Sequence, residues 1–182
     1  RHEHGREDEV IARIGRLHDI IVVARPGDTE DVLTPMTLNA AIFETGRPVL
    51  VVPPKGAGSI RKRIAISWNG SVQSARAVSK AIRLLEQADA VMVLTAESFQ
   101  TSGAVGAELT QYLRWHGVEP EIKVFESPAS NVGPRLLEEC DKFGADLLVQ
   151  GAYTHSRMRQ LILGGVTKHV LGHAEIPMFM AH

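Results

Sequence analysis

The stretch Asp146-Leu147-Leu148-Val149-Gln150-Gly151-Ala152-Tyr153-Thr154, continued by Gly164-Gly165-Val166-Thr167, decides how the chain is read. It gives a short apolar strand, a loop opened by a glycine, and a glycine pair at the mouth of a helix. Those three parts make an anion site, because unpaired helix N–H groups and the positive end of the helix dipole point at one spot. From Leu147 to Ala174 there is no Asp or Glu, whereas Arg157, Arg159 and Lys168 are basic and His155, His169 and His173 lie in the same window. The formal net charge of the whole chain is -1, so this positive field is local. An ordinary strand, loop and helix with solvated charges would have the same composition.

The stretch resembles the signature of the universal stress protein family, Gly-x2-Gly-x9-Gly-(Ser/Thr), which ATP-binding members wrap around ribose and phosphates. In this register Gly151 is the first glycine and Thr154 stands where the second belongs. Nine residues later comes Gly164, and Gly165 replaces the Ser or Thr. The surroundings, Leu161-Ile162-Leu163-Gly164-Gly165-Val166-Thr167 and Val170-Leu171 followed by Ile176-Pro177, match the family as well. The resemblance implies an adenine-nucleotide α-hydrolase-like fold, a role in the stress response, a cytoplasmic setting, and ATP or another adenine nucleotide as ligand. It also implies pairing through the last strands, as a homo-oligomer or as an intramolecular pseudo-dimer.

Outward from the signature, the pattern is strand alternating with helix. Ile64 to Trp68, Ala90 to Thr95, Ile122 to Phe125, Leu147 to Gln150 and Met178 to Ala181 read as strands. Between them, helices are marked by Ala75, Val78, Ile82 and Leu85, by Leu109 and Leu113, by Val132, Leu136, Cys140 and Phe143, and by the segment from about Val166 to Leu171. This order predicts an α/β fold, a doubly wound parallel five-stranded sheet with helices on both faces. Upstream, Glu7 to Leu17 reads as an amphipathic helix, Asp19 to Ala24 as a strand buried on both faces, Thr37 to Glu44 as a helix and Pro48 to Pro53 as a second buried strand.

An internal repeat links the two parts. Asp19 corresponds to Asp146 and Pro48 to Pro177, offsets of 127 and 129. Residues 1–54 then read as the C-terminal remnant of a first domain, 55–60 as a linker and 61–182 as a complete second domain. Counting back by the offset from Arg61 puts roughly 66 residues of the first copy upstream of Arg1. A partial copy leaves Ile20 to Val23 uncovered on one side, to be covered by a missing N-terminal segment, a partner subunit or a domain exchange. Each copy ends in an apolar strand flanked by proline, and these two edges are expected to meet antiparallel. The first copy has Glu30 and Asp31 where the second is basic, so its loop repels phosphate.

Composition bounds the function. A hydrophobic content of 44% and a charged content of 23% are those of a globular domain. The balanced charge supplies no basic face for nucleic acid, and no apolar run reaches the length of a membrane span. The single cysteine, Cys140, sits on a helical apolar stripe and reads as a buried small hydrophobe in a reducing compartment. His169 and His173 have i, i+4 spacing, but no third ligand is arranged near them, and no metal is predicted. No P-loop and no Ser–His–acid set is present, so no catalytic residue is assigned and ATP hydrolysis is at most slow.

The binding residues expected are Asn69 and Gly70 in the turn after the first strand of the second domain, with Gly151, Thr154, Gly164, Gly165, Val166 and Thr167 around the signature. In the family an Asp commonly stands at the Asn69 position and contacts adenine. Asn keeps an acceptor and adds donors, while a plain turn role suits Asn equally. Thr154 would hold a φ > 0 glycine conformation only at a cost of roughly 1–2 kcal/mol. Two functions therefore stand side by side: a nucleotide-responsive stress protein, and an interaction or dimerisation module of the same fold without nucleotide. Trp68 and Trp115 are expected to pack.

Overall fold

The computed structural model describes residues 2–25, 35–97, 104–152 and 165–182. It contains one seven-stranded sheet in the order β1-β2-β7-β6-β3-β4-β5. The strands are β1 (Ile21–Ala24), β2 (Val49–Val52), β3 (Arg63–Ser67), β4 (Ala90–Glu97), β5 (Glu121–Glu126), β6 (Leu147–Gly151) and β7 (Met178–Ala181). The helices are α1 (Glu7–Ile14), α2 (Pro35–Glu44), α3 (Val72–Leu85), α4 (Ala104–Trp115), α5 (Val132–Phe143) and α6 (Gly165–His173). Every pairing is parallel except β2 with β7, which is antiparallel. The five strands expected from residues 61–182 and the two from residues 1–54 are thus one continuous sheet.

Alternation of side chains along each strand divides the core into two layers. Leu148, Ala65, Val49, Val51, Met178 and Met180 face α2, α5 and α6. Leu147, Val149, Ile64, Ile66, Val91 and Val93 face α3 and α4. Helix α3 buries Ser74, Ala77, Val78, Ala81 and Leu85, so the expected inward position of Ala75 is corrected to an exposed one. The small residues let α3 lie close to the sheet. Trp115 is also corrected: it is 76% exposed, whereas Trp68 packs against the α3 layer as expected. Cys140 is buried, and that burial pushes its thiol up to about 12.

The pairing of β2 with β7 can be set against the offset between the two parts of the sequence. Leu50 pairs with Phe179, the residue to which it corresponds at an offset of 129. About that pair the strand order β1-β2-β7-β6 is symmetric, with both outer pairings parallel. Strand β6 has a second neighbour, β3, and its Leu147 and Val149 lie under α3. Strand β1 has no second neighbour among the described residues. Val149 is 0% exposed, whereas its counterpart Val22 is 61% exposed. The sequence expectation that Asp19 to Ala24 is buried on both faces is corrected accordingly, because nothing equivalent to β3 and α3 stands beside it among the described residues.

This asymmetry can be measured. Val149→Thr buries a hydroxyl beneath α3 and is expected to cost about 1–3 kcal/mol in urea unfolding. Val22→Thr is expected to change stability by less than about 0.5 kcal/mol. An equal cost at Val22 would mean that this face is covered in solution.

Candidate functional site

Strands β3 and β6 are parallel neighbours, and successive connections leave them in opposite directions, toward β4 and β5 on one side and β7 on the other. The crevice outside the carboxyl ends of such a pair is where doubly wound sheets take ligands. Ser67 stands in register with Gln150, so the turn after β3 and the glycine that ends β6 emerge side by side. Asn69 and Gly70 are thereby brought next to Gly151.

The turn is built by local chemistry. Asn69 Oδ1 accepts from the N–H of Ser71 at 3.1 Å, and Gly70 has φ 70°, a left-handed conformation suited to glycine. Ser71 then caps α3, its Oγ accepting from the N–H of Ser74 at 3.2 Å. Asn69 is exposed, one of its acceptor positions is already in use, and its Nδ2 takes no part in that bond.

Gly151 is required by close approach. A Cβ there would stand 2.5 Å from the Ser74 backbone nitrogen and 2.7 Å from the Gln73 carbonyl carbon. The end of β6 thus lies directly on the first turn of α3. Gly165 differs: it is exposed, and a Cβ there would meet nothing within 4 Å. As the first residue of α6 it presents a helix N-terminus, where N–H groups lack intrahelical partners. Val166 packs partly against the core. Thr167 is buried, and its Oγ1 accepts from Gln150 Nε2 at 3.4 Å. The hydroxyl of Thr167, named among the expected binding residues, is thus turned toward β6. Thr154 and Gly164, like Arg157, Arg159, His155, Glu30 and Asp31, lie outside the described residues.

Two residues that the sequence reading left out stand at the same end of the sheet. Gln150 Oε1 and Thr95 Oγ1 are buried without a partner among the described residues. Their strands, β6 and β4, flank β3 on either side. The available signal was a polar residue closing an apolar run, as in Leu147-Leu148-Val149-Gln150.

Other features are self-contained. His169 and His173 stack at 4.1 Å, and His173 Nδ1 lies 2.8 Å from the His169 carbonyl oxygen. Burial first, then the neighbouring His173, lowers the pKa of His169. Among the described residues no group of three or more His, Cys, Asp or Glu could hold a metal ion, and no helix is long and apolar enough to cross a membrane. The groove between β5 and α5 is lined by Lys123, Arg135 and Lys142. Two of those cations are bound to the buried Glu139, at 3.3 Å from Arg135 and 2.7 Å from Lys142. A hydrogen bond from Lys142 holds the Glu139 carboxyl below its usual range.

The geometry is that of a mostly parallel α/β sheet with a switch point between β3 and β6. The profile described as the Universal stress protein family matches residues 61–182, and the chain belongs to that family. A universal stress protein from Archaeoglobus fulgidus superposes with a TM-score of 0.76 at 14% identity, covering 96% of this chain and 66% of that one. A functionally unknown protein from Pseudomonas aeruginosa gives 0.66 at 20% identity, covering 98% of this chain and 68% of that one. This chain thus spans about two thirds of the length of those structures. A universal stress protein solved in complex with cAMP gives 0.56 at 22% identity, covering 68% of this chain and 98% of its own. No curated protein matches the chain in sequence.

The two glycines should respond oppositely to a methyl group. Gly151→Ala is expected to cost about 1–3 kcal/mol, since backbone on backbone has little room to give. Gly165→Ala should be neutral or stabilise by up to about 1 kcal/mol. Thermal or urea unfolding reads both, and a silent Gly151→Ala would contradict the described contact.

Proposed function

We propose that the chain is a nucleotide-responsive regulatory protein of the stress response, binding ATP or another adenine nucleotide at the carboxyl ends of β3 and β6. The observation that carries this reading is the meeting of the Asn69–Gly70 turn, Gly151 and the first turn of α6 beside the switch point. Phosphate would take the free N–H groups of Gly165 and Val166, in a stretch without carboxylates from Leu147 to Ala174. The base would lie toward Asn69, whose Nδ2 can donate to a ring nitrogen. The cAMP complex of a family member with the same fold supports the adenine nucleotide class. No group is assigned to bond cleavage, so the ligand acts through conformation in this reading.

A second reading is favoured by the exposed apolar residues Leu17, Ile20 and Val22 at the open edge. Here residues 1–54 form an interaction or pairing surface, and a partner strand and helix resembling β3 and α3 complete it. The readings are separated by releasing bound nucleotide from the purified chain with acid and resolving it by ion exchange, followed by calorimetric titration with ATP.

Gly165→Ser restores the hydroxyl that the family signature carries, at a position with room for it. It is expected to tighten ATP binding by about 1 kcal/mol, roughly fivefold. Unchanged affinity would remove the α6 N-terminus as the phosphate site. No binding of nucleotide or phosphate by either form would favour the interaction module.

A further inference from the structure

This inference rests on the nucleotide reading and concerns how the crevice selects its ligand. Gln150 is 5% exposed, and its Nε2 donates to Thr167 Oγ1 in the first turn of α6. The carboxamide therefore lies against the helix N-terminus. Its Oε1 is buried and has no partner among the described residues. An orphaned buried acceptor is unfavourable, whereas an apolar side chain of similar length would leave none. Every other residue of β6 before the glycine is apolar: Leu147, Leu148 and Val149.

The orphan atom constrains the ligand's chemistry. An amide oxygen needs a donor, and a fully ionised phosphate has only acceptors, so phosphate alone leaves Oε1 unpaired. A hydroxyl satisfies it. With phosphate on the α6 N–H groups, the next part of a nucleotide is its sugar, and the base lies one sugar further toward Asn69. We propose that Gln150 Oε1 accepts a hydrogen bond from a sugar hydroxyl, so that Gln150 makes the crevice selective for ribonucleotides over dideoxynucleotides.

The test is a cycle of calorimetric titrations. The unaltered chain and Gln150→Met are each titrated with ATP, 2′,3′-dideoxy-ATP and tripolyphosphate, and both are melted without ligand. The unaltered chain should bind ATP about tenfold more tightly than the dideoxy form, the value of one good hydrogen bond. Gln150→Met should bind the two nucleotides alike, keep its tripolyphosphate affinity and melt no lower than the unaltered chain. Equal binding of ATP and dideoxy-ATP by the unaltered chain overturns the inference while the nucleotide reading stands. A preference that survives in Gln150→Met overturns it too. Should Gln150→Met not fold, the ATP and dideoxy-ATP pair on the unaltered chain still decides. If the unaltered chain binds neither nucleotide, the nucleotide reading falls and this inference with it.

Discussion

The antiparallel ladder between β2 and β7 is the interaction on which the rest of the sheet depends. Val49, Leu50 and Val51 face Met180, Phe179 and Met178, and all six are buried. Separated, each strand would present an apolar edge with unpaired N–H and C=O groups. Joined, they turn two parallel sets into one sheet with continuous layers on both faces. Further contacts tie the same seam: Arg25 donates to the carbonyl of Ala174, Lys80 donates to that of Gly46, and Lys55 pairs with Glu175. The exposed ion pair adds little, so the seam rests on buried ladder and side chains.

Most of the fold was legible because it follows from periodicity and turn chemistry. Strand and helix order is a local property, and the structure has it within a residue or two. What was not legible depends on neighbours. The run Ile20 to Val23 has the composition of a strand buried on both faces, yet whether a second face is covered depends on a neighbour the sequence does not name. Asp146 accepts from the N–H groups of Lys62 and Arg63 at the start of β3, while its counterpart Asp19 is exposed. Similar residues thus have different environments because, among the described residues, β6 has a strand on both sides and β1 on one.

The site was legible in part for the same reason. Spacing placed Asn69, Gly70 and Gly151 at strand ends, and the parallel pairing of β3 with β6 brought them together. The physical reason for Gly151 was not available from sequence. A signature glycine suggests an unusual backbone angle, whereas here the constraint is the 2.5 Å gap that a Cβ would leave to α3. The direction of the Thr167 hydroxyl was not legible, because a hydroxyl near a helix N-terminus has two directions open to it, and packing turned this one toward Gln150.

Gly151 and Gln150, adjacent on β6, set a division of labour at the crevice. Glycine lets the strand end touch the first turn of α3, which fixes the distance between the β3 turn and β6. Gln150, one residue earlier and on the opposite face, extends toward the first turn of α6. One strand end therefore sets the position of two helix N-termini, one through backbone contact and the other through a side chain. Since the α3 contact is made of backbone, it has little freedom to adapt. The α6 contact is a single long hydrogen bond from a side chain with rotatable bonds, and the chain leading into α6 carries both signature departures, Thr154 and Gly165. Any rearrangement that accompanies a ligand is therefore expected on the α6 side of the crevice, where the link to β6 is the weaker one.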